Sequence, residues 1–244
     1  MTDKLPASRI ALGVEYDGSS FKGWQSQRNP VLPTVQETLE IALSGIANEP
    51  IRVHCAGRTD TGVHASGQVV HFDTINPRQL KAWVVGANSR LPKQVAIQWA
   101  KPVSDDFHAR FSATSRCYRY CLANCPARPA MLAPLVTWHR QELDAQRMHE
   151  AGQYLIGEHD FTSYRGAACQ SRTPMRRVFS VAVRRQGSML VVDIEANAFL
   201  LHMVRNIVGV LLLIGEGRQS PLWVREVLLG KDRNKAAKTA PPTG

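Results

Sequence analysis

The chain lacks a disulfide framework, a charge-free apolar run of membrane-spanning length and the glycine-rich loops that grip nucleotide phosphates. Each absence excludes a class of protein. Its five cysteines (Cys55, Cys117, Cys121, Cys125 and Cys169) are an odd number without a paired framework, which suits reduced thiols in the cytoplasm rather than a stapled secreted fold. Cys117, Cys121 and Cys125 recur regularly, but with no histidine beside them they read as small side chains packed on one strand face rather than metal ligands. The longest apolar run, residues 198–215, contains His202, Arg205 and Asn206, and one central arginine opposes membrane insertion by roughly 3 kcal/mol. No basic and apolar leader opens the sequence. At 244 residues and 44% hydrophobic, the chain has material for one sizeable core or two small ones.

Acidic residues are missing where basic ones concentrate. Residues 107–141 hold Arg110, Arg116, Arg119, Arg128 and Arg140 without an Asp or Glu before Glu142, and residues 161–192 hold Arg165, Arg172, Arg176, Arg177, Arg184 and Arg185, again without an acid. Without these arginines the 30 basic residues fall to near parity with the 20 acidic ones, so the net +10 resides in two segments. Arginine suits bidentate contact with phosphate and stacking on bases. Phe107, Phe111, Tyr118, Tyr120, Phe161 and Tyr164 lie among these arginines, a mixture that fits unpaired RNA better than a duplex groove. A solvated basic face for an acidic protein partner is the weaker reading.

The most informative stretch is residues 55–72, CAGRTDTGVHASGQVVHF. Strand-like alternation at Ile51, Val53 and Cys55 and again over 68–72 puts Asp60 at the end of a β-hairpin, with Gly57, Gly62 and Gly67 to allow tight turning. Arg58, Thr59, Thr61 and His64 add more polar chemistry than a turn requires. Gly57 and Gly62 have phosphate-loop spacing, but Val63 and His64 follow where Lys and Ser/Thr are needed. Ser66 lacks the preceding glycine of a nucleophile elbow. Asp60, His64 and His71 lack a second carboxylate or thiolate at ligand spacing, so no metal is expected.

Further along, residues 9–16 alternate as a strand, Thr34 and Glu37 make a capping box, and Val35, Leu39, Ala42, Leu43 and Ile46 form a helical stripe. A helix over 77–90 with Leu80, Val84 and Ala87 inward precedes strands near 95–99 and 115–123. A helix over 143–156, strands over 178–184 and 189–195 and a long helix over 198–214 follow. This alternation predicts an α+β protein of two pseudo-symmetric ferredoxin-like halves, whose antiparallel sheets form a continuous floor with helices on one side. The halves are expected at 1–124 and 143–244, with the Pro-rich stretch 125–142 as connection. Arg205 sits among Phe199, Leu200, Met203, Val204, Ile207 and Val208. A dehydrated guanidinium there needs a carboxylate, and Asp60 is the expected partner, kept ionised by it.

Residues 55–72 resemble the active-site motif of the tRNA pseudouridine synthase A family. The likeness continues, in order, through YDGSSFKGWQ (16–25), FHARFSATSRCYRY (107–120), HDFTSYRGAACQSRTPMRRV (159–178) and NAFLLHMVRNIVG (197–209). It implies a cleft between the halves, a homodimer, a tRNA substrate modified at uridines of the anticodon stem-loop, and no cofactor or metal. By resemblance Asp60 acts as nucleophile or base, Tyr118 contacts the extruded base, and Arg58 fills or holds open the vacated stack. The implied tRNA contacts are Phe107, His108, Ala109, Arg110 and Phe111, then Ala168, Cys169, Gln170, Ser171 and Arg172, with Arg78 and His139; Arg165 joins them from its basic segment. Family members continue past APPTG into a pocket-lining strand, whereas this sequence stops at Gly244, and residues 236–244 are expected to fray. A non-catalytic RNA-binding module and a base-removing glycosylase or nuclease remain as the other classes.

Overall fold

The structure, a computed structural model, describes residues 8–27, 32–76 and 78–244. It is a mixed fold of two β-sheets and few helices, divided into compact units Met1–Ala113 and Thr114–Gly244.

In the first unit, β1 (Ser8–Tyr16), α1 (Val35–Ala47), β2 (His54–Cys55), β3 (Ala65–Thr74) and β4 (Val95–Val103) form a sheet of order β2-β3-β1-β4, antiparallel throughout. The Thr34 hydroxyl accepts the Glu37 amide at 3.4 Å, so the predicted cap starts α1. Val35, Leu39, Ala42 and Leu43 bury the predicted stripe against a core that includes Leu12, Val14, Val70 and Phe72. The next helical segment departs from expectation. Pro77, its expected start, lies outside the described residues, and Ala82–Gly86 is a π-helical turn. The wider turn breaks the 3.6-residue period on which the inward set was based: Trp83 and Ala87 are buried, whereas Leu80 is 40% exposed.

The second unit comprises β5 (Arg116–Asn124), β6 (Thr137–His139), α2 (Ala145–Gln153), β7 (Gly157–Asp160), β8 (Met175–Gln186), β9 (Met189–Ala196), α3 (Met203–Gly215) and α4 (Trp223–Gly230). Its sheet runs β6-β5-β9-β8-β7, with β6 parallel to β5 and the other pairs antiparallel. Because β5 bonds to β9 along its length, it belongs here and not to the first half, and the Pro-rich stretch after it runs within this unit to β6. In this sheet β9 lies between β8 and β5, as β3 lies between β2 and β1 in the first. β6, β7 and α4 escaped the pattern reading because the two strands are short and polar and the helix is only two turns long.

Three local expectations are corrected. The cysteine row of β5 is not core: Cys117 is exposed and Cys121 and Cys125 only partly covered, while Tyr120 and Leu122 fill the core from the other face. The helix expected from residue 198 begins at Met203, because His202 takes a left-handed conformation (φ 61°) and ends the preceding loop. Residues 236–244 are docked rather than frayed. Ala240 is 3% exposed, the Tyr120 hydroxyl donates to the Pro241 carbonyl at 2.8 Å, and the Thr137 hydroxyl donates to the Thr243 carbonyl at 2.6 Å. Among the described residues no helix is long and apolar enough to cross a membrane.

Trp83 is fully buried against Phe72 (ring centroids 5.0 Å apart), and among the described residues its indole nitrogen has no hydrogen-bond partner. Trp83→Ala should therefore cost about 3–5 kcal/mol in chemical denaturation. Trp83→Phe, which also removes the unsatisfied donor, should cost well under half as much. Equal losses would mean that the indole N–H is satisfied.

Candidate active site

Asp60 lies in the loop between β2 and β3, which pair antiparallel through His54 with His71 and Cys55 with Val70. The predicted hairpin is present. Its loop is fixed at several points along its backbone. Gln68 grips Gly57 twice, its Nε2 donating to the Gly57 carbonyl at 2.5 Å and its Oε1 accepting the Gly57 amide at 3.3 Å. The Val63 amide closes a turn on the Asp60 carbonyl at 3.1 Å, and the Trp24 amide bonds the Thr59 carbonyl at 3.1 Å. The Tyr16 and Thr59 hydroxyls meet at 2.8 Å.

The segment after β1 is thus a platform for the loop. Tyr16 and Trp24 are both buried, with ring centroids 6.0 Å apart. A Cβ on Gly18 would stand 2.0 Å from the Val63 carbonyl oxygen. Gly23 has φ +89°, and a Cβ there would lie 3.0 Å from the Thr59 oxygen. His64 ties the far side of the loop, its Nδ1 accepting the Gly18 amide at 3.2 Å and lying 3.0 Å from the Asp17 carboxylate. Burial pushes the Asp17 carboxyl up, but bonds from Ser19 and the proximity of His64 hold it below the usual range. The YDGSSFKGWQ block carried this signal; only the close backbone approach explains it.

Arg58 is exposed beside Asp60, which is half-buried. Below the loop, residues 107–111 dock on the foot of the same hairpin. The His71 Nδ1 accepts the Ala109 amide at 3.1 Å, and His54, His71, His108 and Phe111 form a ladder with successive centroid distances of 5.1, 4.6 and 4.4 Å. Arg9 fastens the loop by donating to the Phe107 carbonyl at 2.9 Å while paired with Asp73 at 2.7 Å. Arg110 and Phe111 are exposed on the loop, with the guanidinium 5.5 Å from the ring centroid. Sequence reasoning missed this imidazole support, since the three histidines lie far apart in the chain. Burial, reinforced by His108, His54 and Arg9 and opposed by Asp73, lowers the His71 pKa to about 4. Among the described residues no group of three His, Cys, Asp or Glu could hold a metal ion. Arg78 donates to the Ile46 carbonyl at 3.1 Å, beside the end of α1.

In the second unit, Tyr118 lies on the strand face that carries Tyr120 and packs edge-on against Phe199, centroids 4.9 Å apart. Two residues on from Phe199, the Leu201 carbonyl accepts the Gly166 amide at 2.8 Å and its amide donates to the Cys169 sulfur at 3.4 Å. This links Tyr118 to residues 168–172. Arg165 organises that loop by donating to the Cys169 and Ser171 carbonyls at 2.8 and 2.7 Å, leaving Ala168, Gln170 and Arg172 exposed. The Cys169 thiol is pushed up by burial but held below its ordinary range by the Leu201 and Ser171 amides and Arg165. Arg205 donates from Nε to the Ala240 carbonyl at 2.9 Å, and its charge also reaches the Tyr120 hydroxyl, whose pKa burial raises to about 12. His139 is turned inward, 3.3 Å from Glu216, and burial keeps its pKa below the ordinary value.

Much of the arginine excess holds the fold together. Arg119 and Arg184 share Asp193, Arg176 is buried on the Thr173 and Met175 carbonyls, Arg185 bonds Asn124 and the Leu143 carbonyl, and Arg116 bonds the Asn197 carbonyl. Arg128, Arg140, Arg172 and Arg177 are exposed.

Two outcomes follow from this geometry. Gly18→Ala should displace residues 59–63, costing about 1–3 kcal/mol in denaturant unfolding, whereas Gly187→Ala, whose Cβ meets nothing within 4 Å, should not disturb that loop; the Tyr16–Thr59 contact, followed by NMR, reads the difference. His71 binds its proton less tightly folded than unfolded, so its contribution is complete above its ordinary pKa of 6.5 and is lost as pH falls toward about 4. The urea midpoint should decline over that window, and His71→Gln should flatten the decline; an unchanged slope would count against a neutral buried imidazole.

The tRNA pseudouridine synthase family model matches residues 13–112 and 151–244. Over 97% of its length the chain is 58% identical to a protein named tRNA pseudouridine synthase A from Shewanella woodyi, covering 90% of that protein. It is 54% identical to one of that name from Alcanivorax borkumensis (97% of this chain, 88% of the relative) and 55% identical to one from Coxiella burnetii (97% and 90%). With the carboxylate loop, its platform and the arginine-bearing helix all inside the matched regions, the chain belongs to the tRNA pseudouridine synthase family.

Proposed function

We propose that this protein isomerises uridine to pseudouridine in the anticodon stem-loop of tRNA, in the cytoplasm, as a homodimer and without a cofactor. The observation that carries the reading is identity of 54–58% over 97% of the chain with proteins named tRNA pseudouridine synthase A. The reaction breaks the bond from ribose to uracil N1, turns the base and rejoins it through C5. The C5 proton is lost and N1 gains one, so the product is an isomer and no electrons leave.

In this reading Asp60, as nucleophile or base, starts cleavage on an extruded uridine, and Arg205 is the cation that serves the same reaction. Fixing the loop backbone at Thr59, Asp60 and Val63 suits that role, since an acid that begins a displacement must not drift. Tyr118 contacts the everted base and Arg58 occupies or holds open the stack it leaves. The two units are taken as halves of one pseudo-symmetric design. Contacts to tRNA come from residues 107–111 and 168–172 with Arg78, Arg165 and His139. The exposure of Arg110, Phe111 and Arg172 supports a direct role for these three, whereas Arg165 and His139, committed to intramolecular contacts, would act by shaping the surface. Such contacts reach phosphates and sugars, which suits tolerance of several tRNAs.

Incubation with tRNA tritiated at uridine C5 should release tritium to water, and Asp60→Asn should reduce release by at least about a thousandfold while tRNA binding persists. Equal release by the variant would refute the role of Asp60. Free uracil instead of an isomerised nucleotide would mark a glycosylase, and chain scission a nuclease.

A further inference from the structure

Arg205 lies on α3 facing residues 238–240, which run antiparallel to the helix: Lys238 approaches Gly209, Thr239 bonds Asn206, and Ala240 bonds Arg205. A Cβ on Gly209 would stand 2.1 Å from the Lys238 carbonyl oxygen, so this closeness requires glycine there. Ala240 holds Arg205 at both ends. Its amide donates to the Arg205 carbonyl at 3.1 Å, and its carbonyl accepts the guanidinium Nε–H at 2.9 Å. Because a guanidinium is planar, fixing Nε sets the plane and heading of the whole fork.

What holds Ala240 is a partly buried polar network. The Thr239 hydroxyl donates to Asn206 Oδ1 at 2.7 Å and accepts from Arg233 Nη2 at 3.0 Å. Arg233 Nη2 also lies 3.0 Å from Asn206 Oδ1, and Nη1 donates to the Ala237 carbonyl at 2.8 Å. Asn206 is fully buried and anchors the network to the core, its Nδ2 donating to the Tyr164 carbonyl at 2.8 Å. On the other side of Ala240, Tyr120 holds the Pro241 carbonyl. Packing alone would need no such network on the residue before Ala240, since a buried polar group costs stability unless it is satisfied.

We propose that Asn206, Arg233 and Thr239 are positioning residues that aim the Arg205 guanidinium through the Ala240 carbonyl, so that Arg205 meets the reacting site in one orientation. The proposal rests on the reading of Arg205 as a member of the active site. A fork free to swing would spend most of its time misdirected, at a cost to turnover rather than to tRNA binding.

The test is Thr239→Val, which keeps the shape and removes both hydroxyl bonds, with Thr239→Ser as the conservative rescue and Thr239→Ala in case valine prevents folding. In the tritium-release assay Thr239→Val should lower kcat roughly tenfold or more at little change in KM, and Thr239→Ser should restore it. In an Arg205→Ala background, Thr239→Val should have no further effect. Independently of activity, the Arg205 Nε–H resonance, assigned by its loss in Arg205→Lys, should be protected from solvent exchange in the wild type and lose that protection in Thr239→Val. Unchanged kcat and protection in Thr239→Val, or the same loss of kcat with and without Arg205, would overturn the proposal. If Arg205→Ala itself turns over normally, the active-site reading of Arg205 fails instead; if the wild type releases no tritium, the proposed function fails.

Discussion

A short carboxylate on a loop can act only if its main chain is immobile, and here the immobility comes from one backbone passing under another. The segment after β1 touches residues 59–63 so closely that Gly18 and Gly23 admit no side chain. Buried Tyr16 and Trp24 brace this contact from the first sheet's core. The 2.8 Å meeting of the Tyr16 and Thr59 hydroxyls then ties the residue before Asp60 to β1. The catalytic proposal depends on that platform.

The second unit uses the same principle with another chemistry. There a cation needs aiming, and a strand-like segment crossing α3 at Gly209 supplies a carbonyl to hold it. In both places glycine lets one backbone come close to another, fixing the loop that carries Asp60 in the first unit and the carbonyl that holds Arg205 in the second. Asn206, among the few fully buried polar residues, is costly to bury unless its partners are all in place, which is why it marks an ordered junction rather than plain core.

The arginines show why charge counted along a sequence differs from charge presented to a ligand. Asp193 takes two of them, and backbone carbonyls take Arg116, Arg165, Arg176 and part of Arg185. The remaining exposed group, with Phe111 projected on its ladder of imidazoles, is a smaller and more directed surface than the composition suggests.

Local chemistry was enough to read the Asp60 hairpin, the Thr34 cap, most of the long strands and the family, because each depends on neighbours within a few residues or on an ordered string of motifs. It misjudged Leu80, where a π turn changed the period; the cysteine row, whose face is decided by what lies across β5; and residues 236–244, whose few apolar side chains hide a docking made by carbonyls and buried hydroxyls. His54, His71 and His108 become one ladder only when β2, β3 and the loop after β4 come together. Residue identity and spacing thus determined the chemistry available to this chain. Which groups are aimed, paired or buried was decided by contacts between segments distant in sequence, since no local pattern encodes who the neighbour will be.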